Sequence, residues 1–433
     1  MDNLFDFLEY KIKKDSQENL SCDLIIDENH LLHLEKVRET LYNEYDIKSS
    51  GLNRSDYIRL NSYVGSSMNT DLTNPHKDIK DNYKVEDIAK DDNPIVDKII
   101  SSKLLIVDGS SLLSTSFYAT ARDLLFAKTD EQKEFAYTKL MQTPDGIYTN
   151  GIYIFFKTLI PLIKKQNITH LAIVLDKSRN TFRREIYPEY KGTRKETPHP
   201  LSSQFKLLTE ILSEVNIAIF SDDRYEADDF AGSLVKKFET TIPIFLHTKD
   251  EDYIQLVSDY TKLWMVTSKY DTMYNELGVN LKDLNIPSGV FEYTPKYVNY
   301  FKGIDPIQII DAKAIEGDKS DNIKGVKNVG ETSSRPLLRY YKTIEGIYEA
   351  LENLDAKDEK DIALFFKEEL GIKRSPIKNL LTYKEDAFIS KQLATIKTDI
   401  KEIQDIDLDK LELDINYDKM TDIFKKLNIK YNY

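Results

Sequence analysis

The chain has 433 residues, 41% of them hydrophobic and 31% charged, which suits two folded units with tails. A single cysteine, Cys22, excludes an internal disulfide framework and a multi-cysteine zinc site, and six histidines argue against a histidine-rich metal centre. The net charge of −13 argues against nonspecific coating of nucleic acid, but not against a nucleic-acid enzyme whose site needs carboxylates. The opening residues lack the basic-then-apolar order of a secretory signal. The longest apolar stretch, Gly151 to Ile163, is broken by Lys157 and too short to span a bilayer. A cytoplasmic protein without membrane contact is the expectation.

Residues 1–100 read as a separate acidic extension, with 21 acidic against 13 basic residues. Asn3–Lys14 and Leu31–Tyr45 have helical apolar spacing, and Ser49 to Asp92, rich in Ser, Asn, Asp and Gly, reads as a flexible linker. From Lys103 the texture changes. Leu104-Leu-Ile-Val is a buried-strand run ending at Asp108, and helical stretches follow it, one of them Ile152–Lys165. His170-Leu-Ala-Ile-Val-Leu is a second strand before Asp176. Phe205, Leu208, Leu212 and Val215 recur at helical spacing, Ile217–Phe220 is a short strand, and Glu226-Ala-Asp-Asp229 opens a helix. Ile242–Leu246 is a further strand, followed by Thr248-Lys-Asp-Glu-Asp252. Alternating strands and helices predict a parallel sheet in an α/β domain, placed at residues 101–296. From about Tyr297 the chain reads as helical, with Gly-punctuated turns at Gly317–Gly330 and a last amphipathic helix near Tyr417–Leu427. Residues 297–433 form the expected second region.

The acids recur at the places where parallel sheets bind ligands, the carboxyl ends of strands. Asp108, Asp176, Asp250 and Asp252 follow strands, and Glu226, Asp228 and Asp229 begin a helix after another. Asp318 and Asp321 lie in a Gly-Asp-Lys-Ser-Asp-Asn turn that the pattern alone does not place. Any one of these acids is explained by helix capping or turn formation. Converging unpaired carboxylates repel, and divalent cations are the usual remedy. Oxygen-only ligands suit Mg²⁺ or Mn²⁺, and two such ions suit phosphodiester hydrolysis. Between Asp176 and Glu226, residues 181–195 hold five basic and two acidic side chains with Phe182, Tyr187 and Tyr190 interleaved. A solvated loop accounts for that composition, and so does a single-strand contact in which cations track phosphates and aromatics stack on bases. Its place beside the acids favours the second.

Six motifs in this order resemble the 5′-nuclease family, which includes the 5′→3′ exonuclease domain of bacterial DNA polymerase I, phage 5′-exonucleases and flap endonucleases. They are Leu105-Ile-Val-Asp-Gly-Ser-Ser111, Val174-Leu-Asp-Lys-Ser-Arg179, Tyr187-Pro-Glu-Tyr-Lys-Gly-Thr-Arg-Lys195, Tyr225-Glu-Ala-Asp-Asp229, Thr248-Lys-Asp-Glu-Asp252 and Gly317-Asp-Lys-Ser-Asp-Asn-Ile-Lys-Gly325. The resemblance spans about three-quarters of the chain and looks like the stand-alone phage form, since no polymerase domain follows. It implies a PIN-like parallel sheet flanked by helices, a helical arch at about 180–215, and a C-terminal helix–hairpin–helix-type DNA-binding region. It further implies two Mg²⁺ (or Mn²⁺) ions. Asp108, Asp176, Glu226 and Asp228 surround the first, and Asp250, Asp252, Asp318 and Asp321 the second, with Asp228 and Asp229 close to both. Lys191 and Arg194 on the arch contact the scissile phosphate. Arg183, Tyr190, Lys195, Lys324, Gly325, Lys327 and Gly330 contact DNA, and a monovalent cation sits at the hairpin.

The activity so implied is cleavage of DNA from 5′ ends and at flap junctions, including RNA primer removal, by a monomer in the cytoplasm, the host's if the chain is phage-encoded. A replication protein is the expected partner of residues 1–100. The alternatives are a catalytically silent DNA-junction scaffold and an RNA-directed nuclease of related fold. The hairpin departs from the family pattern: Asn328 replaces a glycine, Thr332 a lysine, and Pro336 is expected to disrupt a helix begun at Glu331. A later start capped by Ser333 or Ser334 is the expected remedy.

Overall fold

Leu104-Leu-Ile-Val carries no polar side chain, so both of its faces can be buried. In the computed structural model it forms the central strand β1 (Leu104–Asp108) of a six-stranded sheet. The structure describes residues 102–352 and 356–431, and the features expected in residues 1–100 lie outside them. Apart from the turn at 240–242, the chain from Lys103 onward makes one compact unit. The other strands are β2 (His170–Val174), β3 (Ala218–Phe220), β4 (Ile244–Thr248), β5 (Thr261–Val266) and β6 (Val290–Tyr293), in spatial order β3-β2-β1-β4-β5-β6. All neighbours are parallel except β6, which runs antiparallel to β5. The strand read at Ile242–Leu246 is shifted by two residues, and β5 and β6 were not anticipated.

Helices cover both faces. On one lie α1 (Gly109–Thr120), α4 (Asn150–Lys165) and α6 (His199–Glu214), which share a core with β1 and β2 through Leu113, Phe117, Phe155, Phe156, Leu208 and Leu212. Two shorter helices, α2 (Arg122–Phe126) and α3 (Asp130–Thr138), join α1 to α4. Across the sheet, α7 (Ala227–Phe238) packs on β1, β2 and β4. Within the expected arch, about 180–215, lie one turn of helix, α5 (Phe182–Ile186), and the sixteen-residue α6 (His199–Glu214), joined by turns. Pro188, Gly192 and Pro198 keep these two helices from joining into one.

Helix α8 (Tyr270–Glu276) lies between β5 and β6, and from α9 (Pro295–Lys302) and α10 (Gln308–Glu316) the chain becomes helical. It continues through α11 (Glu331–Tyr341), α12 (Ile344–Leu351), α13 (Ala356–Glu368), α14 (Ile377–Thr382), α15 (Lys384–Ala394), α16 (Lys401–Gln404) and α17 (Tyr417–Lys426). The expected division at residue 297 needs one correction at its far end. Met420, Ile423 and Phe424 of α17 are buried in the α/β core, with Phe424 edge-on to Phe156 at 5.2 Å. Helix α11 also begins at Glu331 and runs through Pro336, against the expected later start. Gly330 precedes it and its carbonyl accepts from Ser333 and Ser334, while Leu337 and Leu338 beyond the proline are fully buried. That burial offsets the one hydrogen bond lost to proline.

In the hairpin before α11, Asn328 stands in the left-handed region (φ +61°), where asparagine replaces glycine at modest cost. Gly325 has no such substitute. Its φ is +62°, and an added Cβ would lie 2.3 Å from the Gly317 nitrogen and 2.7 Å from the Ile315 oxygen. Gly325→Ala is therefore expected to destabilise the protein by roughly 2–4 kcal/mol, the sum of overpacking and a left-handed alanine. Denaturant unfolding of the purified variant checks this, and a loss below 1 kcal/mol would contradict the close approach.

Candidate active site

Because β4 lies on the opposite side of β1 from β2 and β3, helices diverge at the carboxyl ends of β1 and β4 and leave a crevice there. Asp108 closes β1 and caps α1, its Oδ1 accepting from the Ser111 amide at 2.8 Å. Its Oδ2 accepts from Thr248 Oγ1, at the end of β4, at 2.7 Å. Asp176 follows β2, and its Oδ1 accepts from the Ala227 amide at the start of α7 at 3.0 Å. Asp250 caps the 3-10 turn Glu251–Leu256 by accepting from the Asp252 amide at 2.9 Å. Asp228 sits in the first turn of α7, and its Oδ1 is buried without a partner.

None of these four carboxylates has an ion-pair partner among the described residues. Burial, and then Asp176, push the Asp108 carboxyl up to about 6. Burial, and then Asp229, push Asp228 well above the carboxylate range. Desolvation and the neighbouring Asp252 raise Asp250 likewise, although part of that residue reaches solvent.

The remaining acids are held by cations from two other segments. Lys191 Nζ donates to Glu226 Oε2 at 2.7 Å and lies 3.6 Å from Asp321 Oδ2. Arg194 Nη2 donates to Asp321 Oδ1 at 2.5 Å. Lys313 on α10 donates to Asp318 Oδ2 at 2.7 Å and also to Asp252. Burial opposes the charge on these carboxylates, but the cations outweigh it: Lys191 and Arg183 lower Glu226, Lys191 and Arg194 lower Asp321, and Lys313 brings Asp318 down to about 2. Among the described residues no three potential ligands already stand at metal-binding spacing. Cationic side chains take up part of the negative charge instead.

Two family models match the chain in succession: the N-terminal resolvase-like domain of 5′-3′ exonucleases over residues 103–282, and their C-terminal SAM fold over residues 304–418. The 5′-3′ exonuclease of Halalkalibacterium halodurans is 33% identical over 333 residues, covering 76% of this chain and 95% of that protein. The chain belongs to the 5′-3′ exonuclease family. DNA polymerase I of Streptococcus pneumoniae is 36% identical over 299 residues, 68% of this chain, which spans only 28% of that larger protein. The solved T5 5′-exonuclease with bound zinc is 21% identical and covers 74% of this chain and 98% of its own, with a TM-score of 0.48.

As a member of this family the protein is a nuclease that hydrolyses phosphodiester bonds. The family implies divalent metal ions, and the residues present fit them: Asp108, Asp176, Asp228 and Asp250 offer oxygen donors with no basic side chain at ion-pair distance among the described residues, and the Asp228 Oδ1 has no hydrogen-bond partner there.

Of the residues singled out from sequence, the structure brings Asp108, Asp176, Glu226, Asp228, Asp250, Asp252, Asp318, Asp321, Lys191 and Arg194 to this crevice through the contacts above. Lys195, Lys324, Lys327 and Gly330 lie on the surface, with Lys324 stacked 5.3 Å over the Tyr187 ring. Four assignments are corrected. Arg183, expected on DNA, is 1% exposed and makes a two-pronged ion pair with Asp229, 2.7 Å at each prong. It also donates to the Leu393 carbonyl at 2.9 Å and the Thr395 carbonyl at 3.1 Å, so no DNA reaches it. Asp229, expected near both metals, spends its oxygens on Arg183 and on the Glu226 and Lys397 amides. Tyr190 is buried, with its hydroxyl 3.1 Å from both Glu226 Oε2 and Asp321 Oδ2, and cannot stack on a base. The Gly325 amide, expected to face phosphate, donates to Ser390 Oγ at 3.0 Å. Lys313 was missed. It stands five residues before Asp318, outside the quoted motif.

Removing one partner of a buried ion pair strands the other charge, so Arg183→Leu should cost about 3–5 kcal/mol, read as a shift in the urea midpoint. A second outcome concerns pH without divalent ions. The Asp108 pKa lies above its unfolded value of 3.8, so the folded state binds the extra proton between pH 3.8 and about 6. Its contribution therefore lowers stability as pH rises through that window, by up to about 3 kcal/mol. Unfolding curves in chelator at pH 4.5 and pH 7.5, for wild type and Asp108→Asn, should show that slope flattened in the variant.

Proposed function

We propose that the protein is a 5′→3′ exonuclease and flap endonuclease acting on DNA with two divalent ions, Mg²⁺ or Mn²⁺, and that it removes RNA primers and displaced strands in replication and repair. The observation that carries this reading is the pairing of two unlike halves at one crevice. Four carboxylates there lack a basic partner, and beside them Lys191 and Arg194 hold Glu226 and Asp321 across the opening. The acids in the crevice would hold the ions, with Asp108, Asp176, Glu226 and Asp228 nearer one and Asp250, Asp252, Asp318 and Asp321 nearer the other. Bound there, such ions supply Lewis acidity at phosphate oxygens and activate water.

The chain's own side chains account for binding and orientation. Lys191 sits in a left-handed turn (φ +53°) pinned by its amide to the Asp321 carbonyl at 2.9 Å, so its ammonium is aimed at the crevice. A backbone phosphate entering there exchanges with Glu226 and Asp321 for Lys191 and Arg194. The exposed Lys195, Lys324 and Lys327 extend the same positive surface away from the acids. The extension at residues 1–100 carries a net charge of −8 and is assigned to a replication partner, with the enzyme acting as a cytoplasmic monomer.

Product mapping on a 5′-labelled flap with Mg²⁺ tests the reading, with blunt duplex and structured RNA as parallel substrates. Cleavage at the flap junction is expected. No cleavage of any substrate identifies a silent DNA binder, and cleavage of RNA alone an RNA-directed enzyme. Asp228→Asn should abolish cutting. Lys191→Ala should slow single-turnover cutting by about 10- to 150-fold, given roughly 1.5–3 kcal/mol for a charge-assisted phosphate contact, with duplex affinity nearly unchanged. An unchanged rate would remove Lys191 from the mechanism.

A further inference from the structure

The 3-10 turn Glu251–Leu256 carries a polar group that the reading above leaves unused. Tyr253 is 1% exposed, and its hydroxyl has no hydrogen-bond partner among the described residues. Buried tyrosine hydroxyls normally find one, and leaving such a group unpaired is unfavourable. The turn packs against α7, the helix whose first turn holds Asp228 with its own buried and unpartnered Oδ1. A donor and an acceptor thus stand unsatisfied on two packed elements that border one crevice. After burial itself, it is Asp108, Asp228, Asp176 and Asp250 that keep the phenol proton in place. The same four carboxylates have no ion-pair partner among the described residues. Phenylalanine would fill this space without the unpaired hydroxyl, so packing does not explain the oxygen.

We propose that Tyr253 is a positioning residue for the divalent-cation site, its hydroxyl donating a hydrogen bond to an oxygen of that site once the cation is bound. The acceptor is either a carboxylate oxygen turned by the cation or a water that enters with it. Tyr253 thereby fixes one ligand oxygen relative to Asp108, Asp228 and Asp250. Outer hydrogen bonds of this kind commonly alter metal affinity by about 10- to 100-fold. The inference rests on reading the carboxylate rim as a divalent-cation site.

The test is Tyr253→Phe in the full chain, which keeps the ring and removes only the oxygen. Thermal unfolding is followed in chelator and then across a Mg²⁺ titration, and flap cleavage is measured over the same concentrations. In chelator the variant should melt at or above the wild-type temperature, because an unpaired buried hydroxyl has been removed. With Mg²⁺, the concentration giving half the thermal shift should rise about tenfold or more, and the cleavage midpoint should move with it. A merely structural role predicts the reverse, a lower melting temperature in chelator and an unchanged Mg²⁺ midpoint, and would overturn the proposal. Equal Mg²⁺ midpoints for wild type and variant also overturn it, while leaving the cation site intact. A wild-type protein with no Mg²⁺-dependent shift would refute the cation site itself, and Tyr253's role with it.

Discussion

Mutual repulsion among carboxylates is the constraint around which this chain is arranged. Asp108, Asp176, Asp228 and Asp250 converge at one crevice, and a lone fold of this kind would pay for each charge brought closer. The chain divides the problem. Half of the acids are met by Lys191, Arg194 and Lys313, which arrive from the loop above the crevice and from α10. The other half are left without an ion-pair partner among the described residues, and burial raises the carboxyls of Asp108, Asp228 and Asp250. Only an incoming cation completes that second half. The scaffold must stay stable while the site is incomplete, and the large shared core beneath the sheet provides that reserve.

Depth separates the two kinds of positive charge. Arg183 and Lys191 belong to one short basic segment, eight residues apart, yet one is locked beneath the crevice and the other stands at its mouth. Arg183 meets Asp229 in a fully buried pair whose remaining donors are satisfied by carbonyls, the condition under which such a pair is tolerated. Lys191 keeps part of its surface in solvent and has two acids to choose between. A change of partner is open to Lys191 and closed to Arg183.

Much of the fold was legible because its apolar runs are short and bounded. Leu104–Val107 and His170–Leu175 end in acids, and helices such as Asn150–Lys165 show clear periodicity. Strands β5 and β6 escaped notice because Thr261–Val266 mixes polar and apolar residues and Val290–Tyr293 is only four long. Most acids of the site were legible from their places at strand ends and at one helix start, whereas Asp318 and Asp321 sit in a turn that the pattern does not place. Depth was not. Interleaved basic and aromatic residues at 181–195 read as a nucleic-acid contact, and composition carries no signal that Arg183 and Tyr190 face inward. The partners that turn them inward, Leu393, Thr395 and Asp321, lie far along the chain. Pro336 misled for a similar reason, since the buried leucines beyond it hold the helix together.

The guanidinium of Arg183 has a further consequence, for the order of folding. Its partners on residues 393 and 395 lie 210 and 212 residues away in sequence. One buried contact thus joins the basic loop, the start of α7 and the end of α15. Long-range closures of this kind form late, after the entropy of the intervening chain has been lost. This one buried contact therefore cannot close until residues 393 and 395 have been made, which ties the basic loop to a late stretch of the chain.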